Sequence, residues 1–143
     1  KTAGEFSASD YRAYIQPYSK QALDIAAQAG VPIIHFATQA HSILRDVLAA
    51  GGDVLGVDWR LDLNSVIRRV GPQVPVQGNL DPVSLLTNPA IISERTRHIL
   101  DSVNGHPHIF NVGEGILRGT PTDNVRHLVD FVHEYTRELR ESS

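Results

Sequence analysis

Polar side chains follow four short apolar runs of this chain, and they are the residues whose types and spacing could do chemistry. His35 lies inside the first run and Asp58 ends the second. Asn79 follows the third run, and Asn111 and Glu114 end the fourth. If the four runs are parallel strands, these side chains meet at one edge of the sheet, where barrel proteins bind ligands.

Glu114 is the sharpest candidate because it stands between two glycines, Gly113 and Gly115. Glycines allow the backbone to approach a ligand closely or to adopt positive φ. Glycine turns after strands are also common without any function, so this spacing fits either interpretation.

The other candidates have structural interpretations as well. His35 could be a general acid or base, or a hydrogen-bonded residue of a packed barrel. Asn79 could contact a substrate or form an Asx turn with local amides. Asp58 could orient a substrate, cap the next turn or pair with Arg60. The residue types alone leave each choice open.

The elements that must position these residues form a regular alternation. After a first helix that ends near Gly30, with a kink expected at Pro17, strands are predicted at 31–37, 54–59, 74–78 and 108–112. Helices are predicted at 40–49, 62–70, 89–103 and about 122–140, with a helical turn at 82–86. This order indicates an α/β fold with parallel strands and right-handed crossovers.

Four strand–helix units are half of a TIM (β/α)8 barrel, and this is the predicted fold. A small open sheet is the alternative, but it would need a fifth strand and a phosphate-binding loop near the first strand. Neither is visible in the sequence. The 143 residues predict one domain spanning 1–143.

Composition narrows the class of protein. The net charge is −3 and the chain has no long apolar run, so we expect neither a nucleic-acid nor a membrane partner. It contains no cysteine, which excludes thiolate metal sites, and His106 and His108 have no third ligand nearby, so we expect no metal. Nucleotide-binding and serine-hydrolase motifs are also missing. We expect a cytoplasmic protein, and, because the chain has no methionine, a portion of a longer one.

Several segments together resemble one enzyme family. They are Ile33-Ile34-His35-Phe36, Ala50-Gly51-Gly52-Asp53-Val54-Leu55-Gly56-Val57-Asp58-Trp59, Val76-Gln77-Gly78-Asn79-Leu80-Asp81-Pro82 and His108-Ile109-Phe110-Asn111-Val112-Gly113. In this order and spacing they resemble the uroporphyrinogen decarboxylase family, over nearly the whole chain. The match is to the carboxyl-terminal part of the family's sequence.

This resemblance implies a homodimeric barrel enzyme of porphyrin and haem biosynthesis. Such enzymes remove carbon dioxide from the four acetate side chains of uroporphyrinogen III without metal or organic cofactor, and give coproporphyrinogen III. The family's key aspartate, arginine-rich loop and tyrosine precede the matched region, so we expect no catalytic residue in this chain and no activity from it alone. Their place at the strand ends predicts substrate-binding positions at Glu114, Asn111, Asn79 and His35, and the resemblance implies that the Glu114 position faces the substrate.

Glu114 departs from the family pattern, which has histidine between the two glycines. Histidine can donate a hydrogen bond or carry positive charge toward a polyanionic substrate, whereas a carboxylate only accepts and repels. Two unit charges ~4 Å apart at an effective dielectric constant of ~20 repel by roughly 4 kcal/mol. We therefore expect an altered variant, a paralogue with another substrate, or a carboxylate that points elsewhere.

Two other functions remain open at this point. A half barrel exposes apolar strand edges, so the chain could be a self-associating unit without activity. A corrinoid-dependent thiol methyltransferase of related fold is the other alternative. Those enzymes hold zinc with histidine and cysteine, and the absence of cysteine argues against one here.

Overall fold

A computed structural model describes residues 3–142 and contains one parallel sheet of four strands in the order β1-β2-β3-β4. The strands are β1 (Ile34–Phe36), β2 (Val54–Gly56), β3 (Val76–Leu80) and β4 (His108–Val112). Each strand pairs in parallel with the strand before it. The predicted set of parallel strand–helix units is therefore confirmed.

A helical segment precedes the sheet, as predicted. It consists of a 3-10 turn (Ala3–Glu5), α1 (Ala8–Asp10), a π-helical turn (Tyr11–Ile15) and α2 (Gln16–Ala27). The π-helical turn ends two residues before the proline expected to kink this helix. A proline lacks the amide donor of the regular ladder, and π turns occur where that ladder is interrupted.

The later helices alternate with the strands. They are α3 (Leu44–Ala50), α4 (Leu63–Val70), α5 (Pro89–Ser102) and α6 (Thr122–Glu141), with 3-10 turns at Ala40–Ser42 and Pro82–Leu86. Side-chain caps fix two of the starts. Asp62 accepts a hydrogen bond from the Ser65 amide at 2.8 Å, and Asn88 accepts one from the Ile91 amide at 3.1 Å. Such caps satisfy amides that the first helical turn leaves without partners.

The predicted bounds of three strands are wrong. β1 is much shorter than 31–37, because Pro32 has no amide hydrogen and the Ile33 amide donates to the Asp53 side chain at 2.8 Å. β2 ends at Gly56 rather than at residue 59. β3 is shifted two residues toward the carboxyl terminus, since Val74 closes a turn onto Gly71 at 3.3 Å.

Helices cover one face of the sheet and leave the other face open. The helices pack on one face, where the largest buried cluster includes Tyr11, Ile43, Leu44, Val47, Leu55, Val66 and Val76. A second cluster of Leu80, Leu85, Ile92 and Leu128 joins α5 and α6 to the end of β3. The opposite face, here called the inner face, carries Ile34, Phe36, Gln77, Ile109 and Asn111. Its apolar side chains are exposed, with Ile34 at 43%, Phe36 at 44% and Ile109 at 46%.

Candidate functional site at the strand ends

The candidate site begins at an open cavity of about 480 Å³ on the inner face. Its lining includes Ile34 and Phe36 from β1, Gln77 from β3, and Asn111 and Glu114 from the end of β4. Apolar walls thus lead to polar groups at the carboxyl-terminal edge of the sheet, the arrangement typical of small-molecule sites.

Asp58 holds the loops at this edge of the sheet together. Its side chain is fully buried, and its Oδ1 atom accepts a hydrogen bond from the Arg60 amide at 2.8 Å. Its Oδ2 atom accepts one from the Gln39 amide in the loop after β1. One carboxylate therefore ties together the loops that follow two neighbouring strands. Of the roles that the sequence leaves open for Asp58, the structure shows the cap of the next turn and the pair with Arg60.

Arg60 lies between two carboxylates at the same edge. Its Nη1 atom is 3.4 Å from Oε2 of Glu114 and 3.8 Å from Oδ2 of Asp58. Its Cζ atom lies 4.5 Å from the centroid of the Trp59 ring, so the guanidinium also stacks on an aromatic face. Glu114 consequently has a cation beside it.

The two glycines around Glu114 have different surroundings. Gly113 is buried, and a Cβ atom built on it would lie 2.7 Å from both Cα and Cβ of Trp59. Nothing lies within 4 Å of a Cβ atom built on Gly115. Close packing therefore explains the first glycine, while the second leaves room on the exposed side of the Glu114 loop.

Asn79 is buried, with 6% of its surface exposed. Its Nδ2 atom donates to the carbonyl oxygens of Asp58 at 2.9 Å and Leu61 at 2.5 Å. These bonds hold the loop between β2 and α4. The Asx turn expected in this segment is made by Asp81, whose Oδ1 atom accepts from the Val83 amide at 2.9 Å.

Asn111 and His35 lie on opposite faces of the sheet. Asn111 is exposed on the inner face, and its Oδ1 atom accepts a hydrogen bond from the Val112 amide at 2.9 Å. His35 points to the helix side, where Nδ1 lies 3.1 Å from the Gly51 carbonyl oxygen. Of the predicted binding residues, the structure brings Glu114 and Asn111 to the inner cavity and places Asn79 and His35 in hydrogen bonds elsewhere.

A second cavity, of about 540 Å³, adjoins the site on the helix side. It lies between the loop after β2 and α5, and its lining includes Arg60, Asn79, Asp81, Arg95 and His98. Its lining contains both acidic and basic groups, and Arg95 donates to the Ser84 hydroxyl at 3.0 Å. We place the candidate site at the inner cavity, because Asn111 and Glu114 at the end of β4 line it.

His106, just before β4, and His108, its first residue, both bond to backbone oxygens. His106 Nε2 lies 2.9 Å from the Val74 carbonyl oxygen, and His108 Nε2 lies 2.6 Å from that of Gly78. Burial lowers the pKa of His108, the Gly78 hydrogen bond opposes this, and the nearby His106 adds to the lowering. Within residues 3–142, no three His, Cys, Asp or Glu side chains are grouped so that they could hold a metal ion.

Arg60 is the residue that sequence reasoning undervalued. The sequence indicates it as a strand-end residue and a possible partner for Asp58, and the structure shows that it also contacts Glu114, 54 positions further along the chain. Its place just past the end of β2 was the available signal, because residues past parallel strands share one edge.

The described helices include none that is long and apolar enough to cross a membrane.

These features define a class of protein: an α/β chain that forms half of a (β/α)8 barrel, with its polar residues at the strand ends. A solved methyltransferase from Methanosarcina mazei has this fold, with a TM-score of 0.77 at 19% identity over 92% of this chain and 38% of its own. The family model described as uroporphyrinogen decarboxylase (URO-D) matches residues 1–135. The chain belongs to the uroporphyrinogen decarboxylase family.

Curated relatives carry the same name. A uroporphyrinogen decarboxylase of Carboxydothermus hydrogenoformans is 46% identical over 132 residues, which are 92% of this chain and 38% of that protein. One from Sorangium cellulosum is 42% identical over 135 residues, or 94% and 39%. The chain therefore spans somewhat under half the length of these relatives.

Proposed function

We propose that the natural protein carrying this chain is a uroporphyrinogen decarboxylase that acts without a cofactor in the cytoplasm. It would convert uroporphyrinogen III to coproporphyrinogen III. The observation that carries this proposal is the identity of 46% to a protein of that name over 92% of the chain. The inner cavity supports it, because polar residues at strand ends open onto an apolar wall that suits a pyrrole ring.

The chemistry can proceed with protein groups alone. Protonation of a pyrrole at a ring carbon creates an electron acceptor, and the electrons of the breaking carbon–carbon bond flow into the ring as carbon dioxide leaves. A proton then replaces the lost carboxylate, and release of the ring proton restores the pyrrole. The protein must orient the ring and stabilise positive charge near it.

This chain would supply the carboxyl-terminal half of the barrel and part of the substrate site. Glu114 and Asn111 are the residues we retain as substrate-facing, since both line the inner cavity. Asn79 and His35 fit structural roles better, given their bonds to backbone carbonyl groups. The catalytic groups would come from outside the chain, so the 143 residues alone should be inactive.

Turnover of uroporphyrinogen III tests this proposal. The natural protein should release carbon dioxide and coproporphyrinogen, and the purified 143-residue chain should release neither. Chromatography of the oxidised porphyrins measures the product. Glu114→His should raise turnover of the natural protein, because it exchanges a carboxylate for the donor that the family carries. Turnover by the isolated chain would contradict its expected inactivity. An unchanged or lower rate for Glu114→His would contradict the expected gain from the histidine.

Self-association is the second candidate function, and we propose that it occurs through the inner face or the strand edges. The observation in its favour is the exposure of Ile34, Phe36 and Ile109 on one face. Apolar surface of this kind and unpaired strand edges favour contact with another chain. A homodimer of the natural protein is compatible with both proposals.

A further inference from the structure

The two carboxylates beside Arg60 differ in how firmly they are held. The Asp58 side chain has no exposed surface and accepts hydrogen bonds from the amides of Gln39 and Arg60. Its departure would leave both amides without this acceptor. The Glu114 side chain is 45% exposed, and the contact that holds it is the one to Arg60.

The contact between Arg60 and Glu114 is weak by its geometry. One nitrogen faces one oxygen at 3.4 Å, whereas a guanidinium and a carboxylate can form two parallel, shorter hydrogen bonds. The Arg60 side chain is 37% exposed, so water competes for both charges. Most of the hydrogen-bonding capacity of Arg60 is therefore available to another acceptor.

The remaining contacts keep the guanidinium in place if Glu114 moves. Asp58 fixes the Arg60 amide at 2.8 Å, and the Trp59 ring supports the guanidinium plane at 4.5 Å. Gly115 has open space around it, which leaves the Glu114 loop room to turn outward. The Arg60 guanidinium is therefore held in position as a cation, and another carboxylate can replace Glu114 as its partner.

We infer that Arg60, which lines the second cavity and contacts Glu114 of the inner one, is a carboxylate-binding residue, and that Glu114 occupies it until a ligand carboxylate takes its place. The ligand class is a polycarboxylate. The inference rests on the proposed function for the identity of the natural ligand, and on the geometry alone for the binding. It also gives Glu114 a role beside repulsion, because the same carboxylate competes for the cation that a substrate needs.

Calorimetric titration with mellitate, a benzene ring carrying six carboxylates, tests the role of Arg60 in the natural protein that carries this chain. Arg60→Gln should weaken mellitate binding by about tenfold or more, the usual effect of losing a charge-assisted hydrogen bond. Arg126→Gln is the matched control, because Arg126 forms an exposed pair with Asp123 at 2.7 Å on α6. Equal affinities for the parent and Arg60→Gln would overturn the inference.

A second pair of variants tests the displacement of Glu114. Glu114→Gln should tighten mellitate binding several-fold in the parent and leave it unchanged in the Arg60→Gln background. A carboxylate that merely repelled the ligand would have the same effect in both backgrounds. Equal tightening in both would therefore refute displacement, while tightening confined to the parent supports it.

Two further measurements distinguish a loss of mellitate binding from a failure to fold, and distinguish binding from turnover. Arg60→Lys keeps the charge and loses the planar fork, so it should bind mellitate more weakly than the parent even if Arg60→Gln does not fold. Parent-like affinity of Arg60→Lys would count against the inference. Binding is measured without turnover: a protein that decarboxylates nothing but shows these affinities refutes only the proposed function. An active enzyme that binds equally well with Arg60→Gln refutes only this inference.

Discussion

Gly113 lies against the backbone of Trp59, so that a Cβ atom at the glycine would stand 2.7 Å from both Cα and Cβ of the tryptophan. This contact joins the ends of β2 and β4 across the end of β3, and it fixes the separation at which Arg60 and Glu114 meet.

Gly113→Ala should lower the free energy of unfolding, because the added methyl group must push the two loops apart. The expected loss is ~1–3 kcal/mol, the usual cost of inserting a carbon into a packed contact. Gly115→Ala in the same loop is the control, since its Cβ atom would meet nothing within 4 Å. Urea unfolding of both variants measures the difference, and equal losses would contradict the packing argument.

Asn79→Ala should also destabilise the protein, because it leaves the carbonyl oxygens of Asp58 and Leu61 without their donor. Loss of a buried hydrogen-bonding partner costs ~1–3 kcal/mol. Asn111→Ala is the matched control, since that exposed amide bonds only to its neighbouring residue in the described part of the chain. It should change unfolding little and weaken mellitate binding, whereas a large stability loss would show that Asn111 is structural.

The stability of the chain should depend on the protonation of His108. Burial lowers the pKa of His108 below 6.5 in the folded state, so the unfolded state binds the proton more readily. Stability from the neutral imidazole is thus present above about pH 6.5 and falls as the pH drops below that value.

Urea unfolding between about pH 8 and pH 5 measures this dependence. His108→Gln, which keeps a donor for the Gly78 carbonyl oxygen, should give a shallower decline than the parent. His98→Gln is the control, because His98 is exposed on α5. An equally steep decline in His108→Gln would exclude His108 as the source.

The 143-residue chain should self-associate in solution through its inner face. Sedimentation velocity should show a species larger than a monomer. Ile109→Lys should shift the mass toward the monomer, because it places a charge on the exposed apolar face. Ile25→Lys is the control: Ile25 is 68% exposed on α2, away from that face. A monomeric parent chain would refute this prediction.

The strand that the sequence predicts best is β4, found at 108–112 as expected, because all five of its residues pair with β3. The boundaries of β1 depended on a side chain that the local pattern could not reveal. The Ile33 amide bonds to Asp53, 20 residues away, instead of to a strand. Apolar runs indicate which segments are buried, while their ends depend on contacts distant in sequence.

The same limit applies to the site. The sequence placed Glu114 and Asn111 at the end of β4, and the parallel order of strands brings both to the inner cavity. The sequence did not show that Asn79, unlike these two residues, bonds to a neighbouring loop. A polar residue at a strand end can face either a ligand or such a loop. The pairing of Arg60 with Glu114 needed the relative heights of two strands that are not neighbours.

The strand order β1-β2-β3-β4 has a consequence for how the chain is made on the ribosome. In the described sheet, β2, β3 and β4 each pair with the strand synthesised just before them, so each finds that partner already present as it emerges. Synthesis can therefore extend the sheet in one direction, a unit at a time, and the β4 edge is the last to be formed.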